Sequence, residues 1–348
     1  MMRVLVTGGA GFVGLALAQA LLEQGAEVHL FDSRPPPMLF LETMRPHAAR
    51  LTVQQGSVGD EDSVGVACQG VSHVFHGAAV TAGPRREASE PLNVFDVNVG
   101  GTIRVLRAAA DAGVKRFVYP SSLTVYGAEI EGDGLLEEAT TPAVPDTLYG
   151  ITKYAAECTA LRLGALWGLS VATARIGSVF GPWEGKSGAR DLVSPCAQVA
   201  ALAAQGKPVI LPGTYPRREM IYAPDLAQGL IALLATQDLP HERYNLSANL
   251  DWSDTLVHWC TALEQRLPGF RWEVSGSQAN IAQSNVGQSN VGQLNAAQPN
   301  IDYYGATPRA GLDATRACTD LGFTPRFGRD AALRHYADWV ARHSSFFS

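Results

Sequence analysis

Cysteine is scarce in these 348 residues, and the five present (Cys68, Cys158, Cys196, Cys260 and Cys318) are scattered, with no CxxC pair or Cys/His cluster. Such spacing offers neither a disulfide framework nor a metal site, and it fits a reducing compartment. Basic charge is short as well. Lys and Arg number 27 against 33 Asp and Glu, a net charge of -6, which argues against a nucleic-acid partner because phosphate binding needs clustered cations. No apolar run approaches the roughly 18 residues that span a bilayer. The opening MMRVLVTGG has no charged region followed by an apolar stretch and a cleavage site, so a cytoplasmic protein with no membrane partner is expected. Apolar residues, by contrast, make up 46% of the chain, enough for a sizeable core, and the length suggests roughly two domains.

Short apolar runs alternate with helical patterns from the start of the chain. Strands are expected at residues 4–7, 28–31, 51–53, 71–75, 116–119 and 171–175, and helices at 12–24, 60–68, 91–112 and 147–167. That alternation predicts an α/β fold with a doubly wound parallel sheet of Rossmann type. After Gly177 glycine and proline cluster and the rhythm is lost, which reads as excursions building a smaller C-terminal substrate-binding lobe. The expected dinucleotide-binding domain covers 1–176, with about 223–247 returning to it; 177–222 and 248–348 form the lobe. From Asn280 a five-residue repeat runs NIAQS, NVGQS, NVGQL, NAAQP. It would supply about one coil of a β-helix, and such coils need stacked neighbours, so residues 278–300 read as a low-complexity surface insertion.

TGGAGFVG, residues 7–14, places Gly8, Gly11 and Gly14 between the first strand and the first helix. Glycine there allows a tight turn, close approach of backbone to a pyrophosphate, and close packing of helix on strand. The helix start offers unpaired N–H groups to that anion. Asp32 ends the second strand, where a carboxylate accepts from ribose hydroxyls and repels a 2′-phosphate. NAD is therefore expected over NADP, although Arg34 stands where an arginine can accommodate the extra phosphate.

Tyr149 and Lys153 are four apart on a predicted helix and project from one face. Ser122 lies in YPSSLTVYG at the C-terminal end of a predicted strand, the edge where open α/β sheets bind ligands. Oxidising a secondary alcohol needs a base for the hydroxyl proton. Free tyrosine, with a pKa of about 10, is protonated at neutral pH, and a neighbouring ammonium favours its phenolate. Lys153 can also hold the nicotinamide ribose, and Ser122 can bond the substrate oxygen.

Residues 3–235 resemble the extended short-chain dehydrogenase/reductase family, the NAD-dependent epimerase/dehydratase group. The ordered landmarks are TGGAGFVG, Asp32, HGAA (76–79), NVGGT (98–102), SSLTVYG (121–127), YGITK (149–153) and RIGSVFGPW (175–183). The resemblance implies that Ser122, Tyr149 and Lys153 are the catalytic set. It places Gly8, Gly11, Phe12, Val13, Gly14, Asp32, Ser33 and Arg34 on the cofactor. Further cofactor positions are Ser57, Val58, Gly77, Ala78, Ala79, Asn98 and Ile176, besides Tyr149 and Lys153. Substrate contacts are implied for Thr81, Thr124, Ser178 and Arg218, and a homodimer through the helices near 98–112 and 149–167. The match departs at Ser57, where many relatives carry Asp, and at Ser178, where nucleotide-sugar enzymes carry Asn; after Arg218 it diverges at Ala223 and Pro224.

Arg85 and Arg86 follow HGAAVTAGP in the loop after the fourth strand, and with Arg218 they are candidates to bind an anionic group, because a guanidinium fork suits carboxylate or phosphate. The expected partner is a small sugar-like molecule, and the expected activity is hydride transfer by an NAD-dependent epimerase or dehydrogenase acting on a sugar, sugar acid or nucleotide sugar. Two alternatives stand beside it: a nucleotide-sugar 4,6-dehydratase and a non-catalytic NAD(P)-binding sensor. Dehydratases carry Asp and Glu where Leu123 and Thr124 stand here, and a sensor has no use for the catalytic trio.

Overall fold

The computed structural model describes residues 2–127, 134–185, 188–215, 218–251, 255–275, 298–302 and 309–347. Most of the five-residue repeat, expected as a surface insertion, lies outside the described residues.

The first strands carry short apolar runs, and the central ones are buried over most of their length, as a sheet covered on both faces requires. They are β1 (Arg3–Thr7), β2 (Glu27–Asp32), β3 (Leu51–Gln55), β4 (His73–His76), β5 (Arg116–Ser122) and β6 (Val171–Ile176). β7 (Ser178–Phe180), β8 (Val209–Leu211) and β9 (Glu219–Tyr222) follow, then β10 (Arg243–Leu246), β11 (Leu250–Asp251) and β12 (Trp272–Val274). Seven strands form one sheet in the order β10-β6-β5-β4-β1-β2-β3, every pairing parallel. This is the doubly wound Rossmann-type sheet expected from the alternation. The order reverses between β1 and β4, so the crevice for a ligand opens above their C-terminal ends.

The helices are α1 (Phe12–Glu23), α2 (Met38–Thr43), α3 (Glu61–Cys68), α4 (Pro84–Ser89), α5 (Pro91–Phe95) and α6 (Gly101–Asp111). After them come α7 (Leu148–Trp167), α8 (Pro195–Ala204), α9 (Ala223–Ala235), α10 (Thr255–Glu264), α11 (Thr315–Leu321) and α12 (Arg329–Arg342). Two apolar layers cover the sheet. One joins α1 and α9 to residues such as Leu17, Leu21, Leu226 and Leu230; the other joins α3, α6 and α7 through Val64, Leu106 and Ala160. α9 and β10, although late in the chain, belong to this body, with β10 extending the sheet beside β6. Beyond the sheet, β7, β9 and β11 form a small three-stranded sheet, and β8 pairs with β12.

One helix departs from expectation. The pattern at 91–112 predicts a single helix, but it is broken by a π turn at Asp96–Gly100, closed by the Gly101 N–H donating to the Asp96 carbonyl. The extra residue in that turn is a local backbone feature invisible to a 3.6-residue pattern, and such turns recur at functional sites.

Candidate active site

The loop between β1 and α1 is held by its glycines. Gly8 has φ +67°, and a Cβ there would lie 2.6 Å from the Gly77 carbonyl carbon, so only glycine lets the β1 and β4 loops meet. A Cβ on Gly14 would run into the Gly8 carbonyl, so α1 packs directly on the loop. α1 begins after Gly11 with no side-chain cap, leaving its first N–H groups, at Phe12 and Val13, outside the helical bonding and available to an anion. Asp32 closes the cradle: its carboxylate accepts from the Ala10 N–H at 3.0 Å and the Arg34 N–H at 3.1 Å. A cleft of about 530 Å³ adjoins it, lined by Ala10, Phe12, Arg34, Met38, Trp183 and Phe346. Ser33 hydrogen-bonds the Asp32 carboxylate at 3.4 Å, and the Ser57 hydroxyl accepts from the Gly59 N–H at 3.1 Å. Val58 is buried against Gly101. These residues offer what a dinucleotide needs: a glycine cradle at a helix start, and a carboxylate at the end of the second strand.

The β4 loop is tied to both neighbours. Gly77 N–H donates to the Thr7 carbonyl at 3.0 Å and Ala78 N–H to the Thr7 hydroxyl at 3.3 Å; Ala79 follows, half-buried. Asn98, buried in the π turn, accepts from Val80 N–H at 2.7 Å and donates to the Val80 carbonyl and to Thr152, both at 3.0 Å. It thus fixes the β4 loop to the turn of α7 that carries Tyr149 and Lys153.

Ser122 ends β5 opposite Ile176 of β6, and its hydroxyl accepts from Thr124 Oγ1 at 2.9 Å. Burial raises the Tyr149 pKa, while the nearby Thr81 side chain, the charge of Arg190 and the Ser122 side chain act in the opposite direction. Lys153 is 3% exposed, and its Nζ lies 4.2 Å from the centroid of the Tyr119 ring. Burial pushes its ammonium down to about 7, against the attraction of Glu157. Glu157, one turn further and fully buried, accepts from Arg175 at 2.8 and 3.1 Å and from Arg243 at 3.0 Å. The structure therefore brings Ser122, Tyr149 and Lys153 together at the C-terminal edge of the sheet.

The residues expected at the substrate are spread more widely. Thr81 and Thr124 lie within this cluster. Ser178 begins β7, paired with Met220. Arg218 is buried at the start of β9. Arg85 is exposed, whereas Arg86 is engaged, donating to the Gly188 carbonyl at 2.9 Å and pairing with Asp191 at 3.2 Å. Arg86 thus ties two loops together.

Several groups escaped sequence reasoning. His76, quoted in HGAA without a role, is fully buried between Thr7 at 2.7 Å and Thr102 at 3.0 Å, and burial together with Lys153 holds it down to about 3. Glu219 is buried against Gly177, bonded to Ser247 at 2.5 Å and Leu312 N–H at 2.9 Å, and burial raises it to about 7. Arg190 and Glu184 sit in an irregular loop with no periodic signal. Among the described residues, no helix is long and apolar enough to cross a membrane, and no three His, Cys, Asp or Glu side chains gather as metal ligands.

The family model described as NAD dependent epimerase/dehydratase matches residues 4–247. A 3 beta-hydroxysteroid dehydrogenase/Delta 5→4-isomerase of Mycobacterium tuberculosis is 37% identical over 186 residues, 51% of this chain and 47% of that protein. The chain spans about half the length of that relative and of other curated relatives that it matches. A UDP-glucose 4-epimerase of Streptomyces lividans is 30% identical over 68% of this chain and 72% of its own. Among solved structures, the Thermotoga maritima UDP-glucose 4-epimerase with UDP-glucose superposes with a TM-score of 0.76 at 21% identity, covering 98% of this chain and 99% of that one. MoeE5 in complex with UDP-glucose and NAD gives 0.71 at 26% identity, with the same coverage. The chain belongs to the NAD-dependent epimerase/dehydratase family, of the extended short-chain dehydrogenase/reductase type.

Proposed function

We propose that the chain is an NAD-dependent oxidoreductase or epimerase working by hydride transfer at a hydroxyl of a sugar, sugar acid or nucleotide sugar. The observation that carries this reading is the placement of Tyr149 beside the Ser122 and Thr81 side chains, one helical turn from buried Lys153, above the sheet edge where Ile176 ends β6. When bound, NAD supplies the hydride acceptor. The Tyr149 phenolate takes the substrate hydroxyl proton as the adjacent carbon gives up its hydride. Ser122 and Thr124 hold the substrate oxygen, and Lys153 holds the nicotinamide ribose and favours the phenolate. In an epimerase Tyr149 would also give the proton back to the substrate oxygen, the bound cofactor supplying the reduction.

Asp32 supports NAD over NADP, since a carboxylate at the end of the second strand accepts from ribose hydroxyls and repels a 2′-phosphate. The 4,6-dehydratase reading loses support at Leu123, buried where an acid would be needed. A hydroxysteroid is the second substrate reading, favoured by the 37% identity to the mycobacterial dehydrogenase. A homodimer is supported by apolar side chains exposed on α6 and α7: Ile103, Ile151 and Leu166. Five free cysteines fit a cytoplasmic setting.

The test is to purify the protein, ask whether NAD copurifies, and screen sugars, sugar acids, nucleotide sugars and hydroxysteroids for nicotinamide reduction or epimerised product. Retained NAD with epimerised product identifies an epimerase; exchangeable NAD with net reduction identifies a dehydrogenase. No turnover in any class, with cofactor bound, sinks the catalytic reading.

A further inference from the structure

Lys153 is buried on α7, yet among the described residues no hydrogen bond or ion pair reaches its ammonium. The carboxylate one turn along the helix is spoken for, since Glu157 accepts from Arg175 at 2.8 and 3.1 Å and from Arg243 at 3.0 Å. What the ammonium does meet is an aromatic face: Nζ lies over the Tyr119 ring, 4.2 Å from its centroid. Burying a cation without a partner is costly. The face of an aromatic ring, the negative side of its quadrupole, is a neutral surface that attracts one.

The ring is held in place from several sides. Phe117 and Tyr119, two apart on β5, share the sheet face covered by α6 and α7. Tyr119 is 1% exposed and stands opposite Thr173 of β6. His76, on the neighbouring β4, has its ring centroid 6.1 Å away and is itself pinned by Thr7 at 2.7 Å and Thr102 at 3.0 Å. On α7, Ala156 and Ala160 follow Lys153 on the buried face, small residues that leave room for the ring. The titratable neighbours are otherwise neutral. Burial holds His76 uncharged and keeps the Tyr119 phenol protonated far above neutral pH, and it raises Tyr149 as well. The remaining charges are Glu157 and the two arginines that share it.

We propose that Tyr119 is a positioning residue: the face of its ring clamps the Lys153 ammonium, holding the charge on the inner face of α7 without cancelling it. A carboxylate in that place would take the N–H donors and neutralise the cation; the ring leaves them for the nicotinamide ribose. This rests on the reading of Lys153 as the cation of the hydride-transfer site. It gives a task to a side chain three residues before Ser122 that otherwise counts only as core.

The test reads Lys153 without turnover. The full chain, free of substrate, is labelled with lysine carrying carbon-13 next to the amine. Of its four lysine resonances, the one lost in Lys153→Met is followed as a function of pH. The ring favours the charged amine, so Tyr119→Leu is expected to lower the midpoint by about one pH unit, the scale of a desolvated cation–π contact. Tyr119→Phe keeps the face and leaves the midpoint close to that of wild type. Phenylalanine of increasing ring fluorination, inserted at position 119 alone, weakens the negative face at nearly constant shape and lowers the midpoint stepwise, a series that damaged packing cannot mimic. A midpoint in Tyr119→Leu at or above the wild-type value overturns the proposal, as does one indifferent to fluorination or one that falls as far in Tyr119→Phe as in Tyr119→Leu. Because the amine titrates without turnover, failure of the substrate screen leaves this result standing and counts against the hydride-transfer reading alone.

Discussion

Replacing Lys153 by Met should make the apoprotein more stable while disabling it. The side chain is 3% exposed, and burial lowers its pKa from 10.5 to about 7. A depressed lysine is a penalty carried by the folded state. Above the unfolded value both states are neutral and nothing is lost; as pH falls through the window from 10.5 to about 7 the folded state alone resists taking the proton, and below 7 the penalty is complete. At 1.36 kcal/mol per unit, the shift of about 3.5 units costs about 5 kcal/mol below the window and about 4 kcal/mol at pH 7. Methionine is similar in length and unbranched, so it fills the same channel without the charge. It forfeits the contact with the Tyr119 ring and leaves Glu157 to Arg175 and Arg243 alone, which brings the expected gain to about 2–4 kcal/mol at pH 7. Urea unfolding of both proteins without cofactor, from about pH 6 to about pH 10, reads the difference. The gain should shrink steadily as pH rises. A variant less stable than wild type at neutral pH, or a difference flat across the range, would refute the reasoning.

Tyr149→Phe is expected to lower turnover by about 10²–10⁴-fold while leaving NAD affinity nearly intact, because the ring still packs but cannot take the proton; turnover within a few-fold of wild type removes Tyr149 from the mechanism. NAD should bind more tightly than NADP, and dissociation constants decide it, tighter NADP binding showing that Arg34 outweighs Asp32. Arg218→Met should raise KM strongly with NAD affinity unchanged, and Arg85→Met should do little; a wild-type KM for the Arg218 variant defeats the anion-binding role. Deleting residues 280–297 should leave activity and melting temperature nearly unchanged, since loop length contributes only about 0.6 kcal/mol per doubling, and a large loss would show that the repeat packs on the body.

Much of the sheet was legible because its strands are apolar and bounded by glycine: the runs at 4–7, 28–31, 51–53, 116–119 and 171–175 all fall within strands of the body. The catalytic trio was legible because its spacing survives as helix geometry and strand position. Other features leave no such trace. β8 and β12 are three residues each, too short to show a period. The π turn at Asn98 needs a backbone hydrogen bond that no residue type signals. Arg190 and Glu184 are six apart in an aperiodic loop, and neither their ion pair at 3.0 Å nor the bridge to Thr81, more than one hundred residues earlier, leaves a periodic signal. The arginines also show why residue type alone misleads: Arg86 has the chemistry of an anion binder, but Asp191 already occupies it.

The way β8 receives both flanks of the repeat has a consequence for the integrity of the polypeptide. Ser275 N–H donates to the Leu211 carbonyl at 2.7 Å, and Asn300 N–H to the neighbouring Ile210 carbonyl at 3.1 Å. The Asn300 side chain adds bonds to Ile210 N–H and the Pro208 carbonyl, both at 2.9 Å, and Ile301 behind it is buried. Each flank is thus moored to the same strand by its own contacts, so neither depends on the covalent chain between them for its place. A protease cut anywhere between Ser275 and Asn300 would yield two fragments that stay together as one particle, with α11 and α12 still seated. New chain ends could be opened at the same position without disturbing the crevice above β1 and β4.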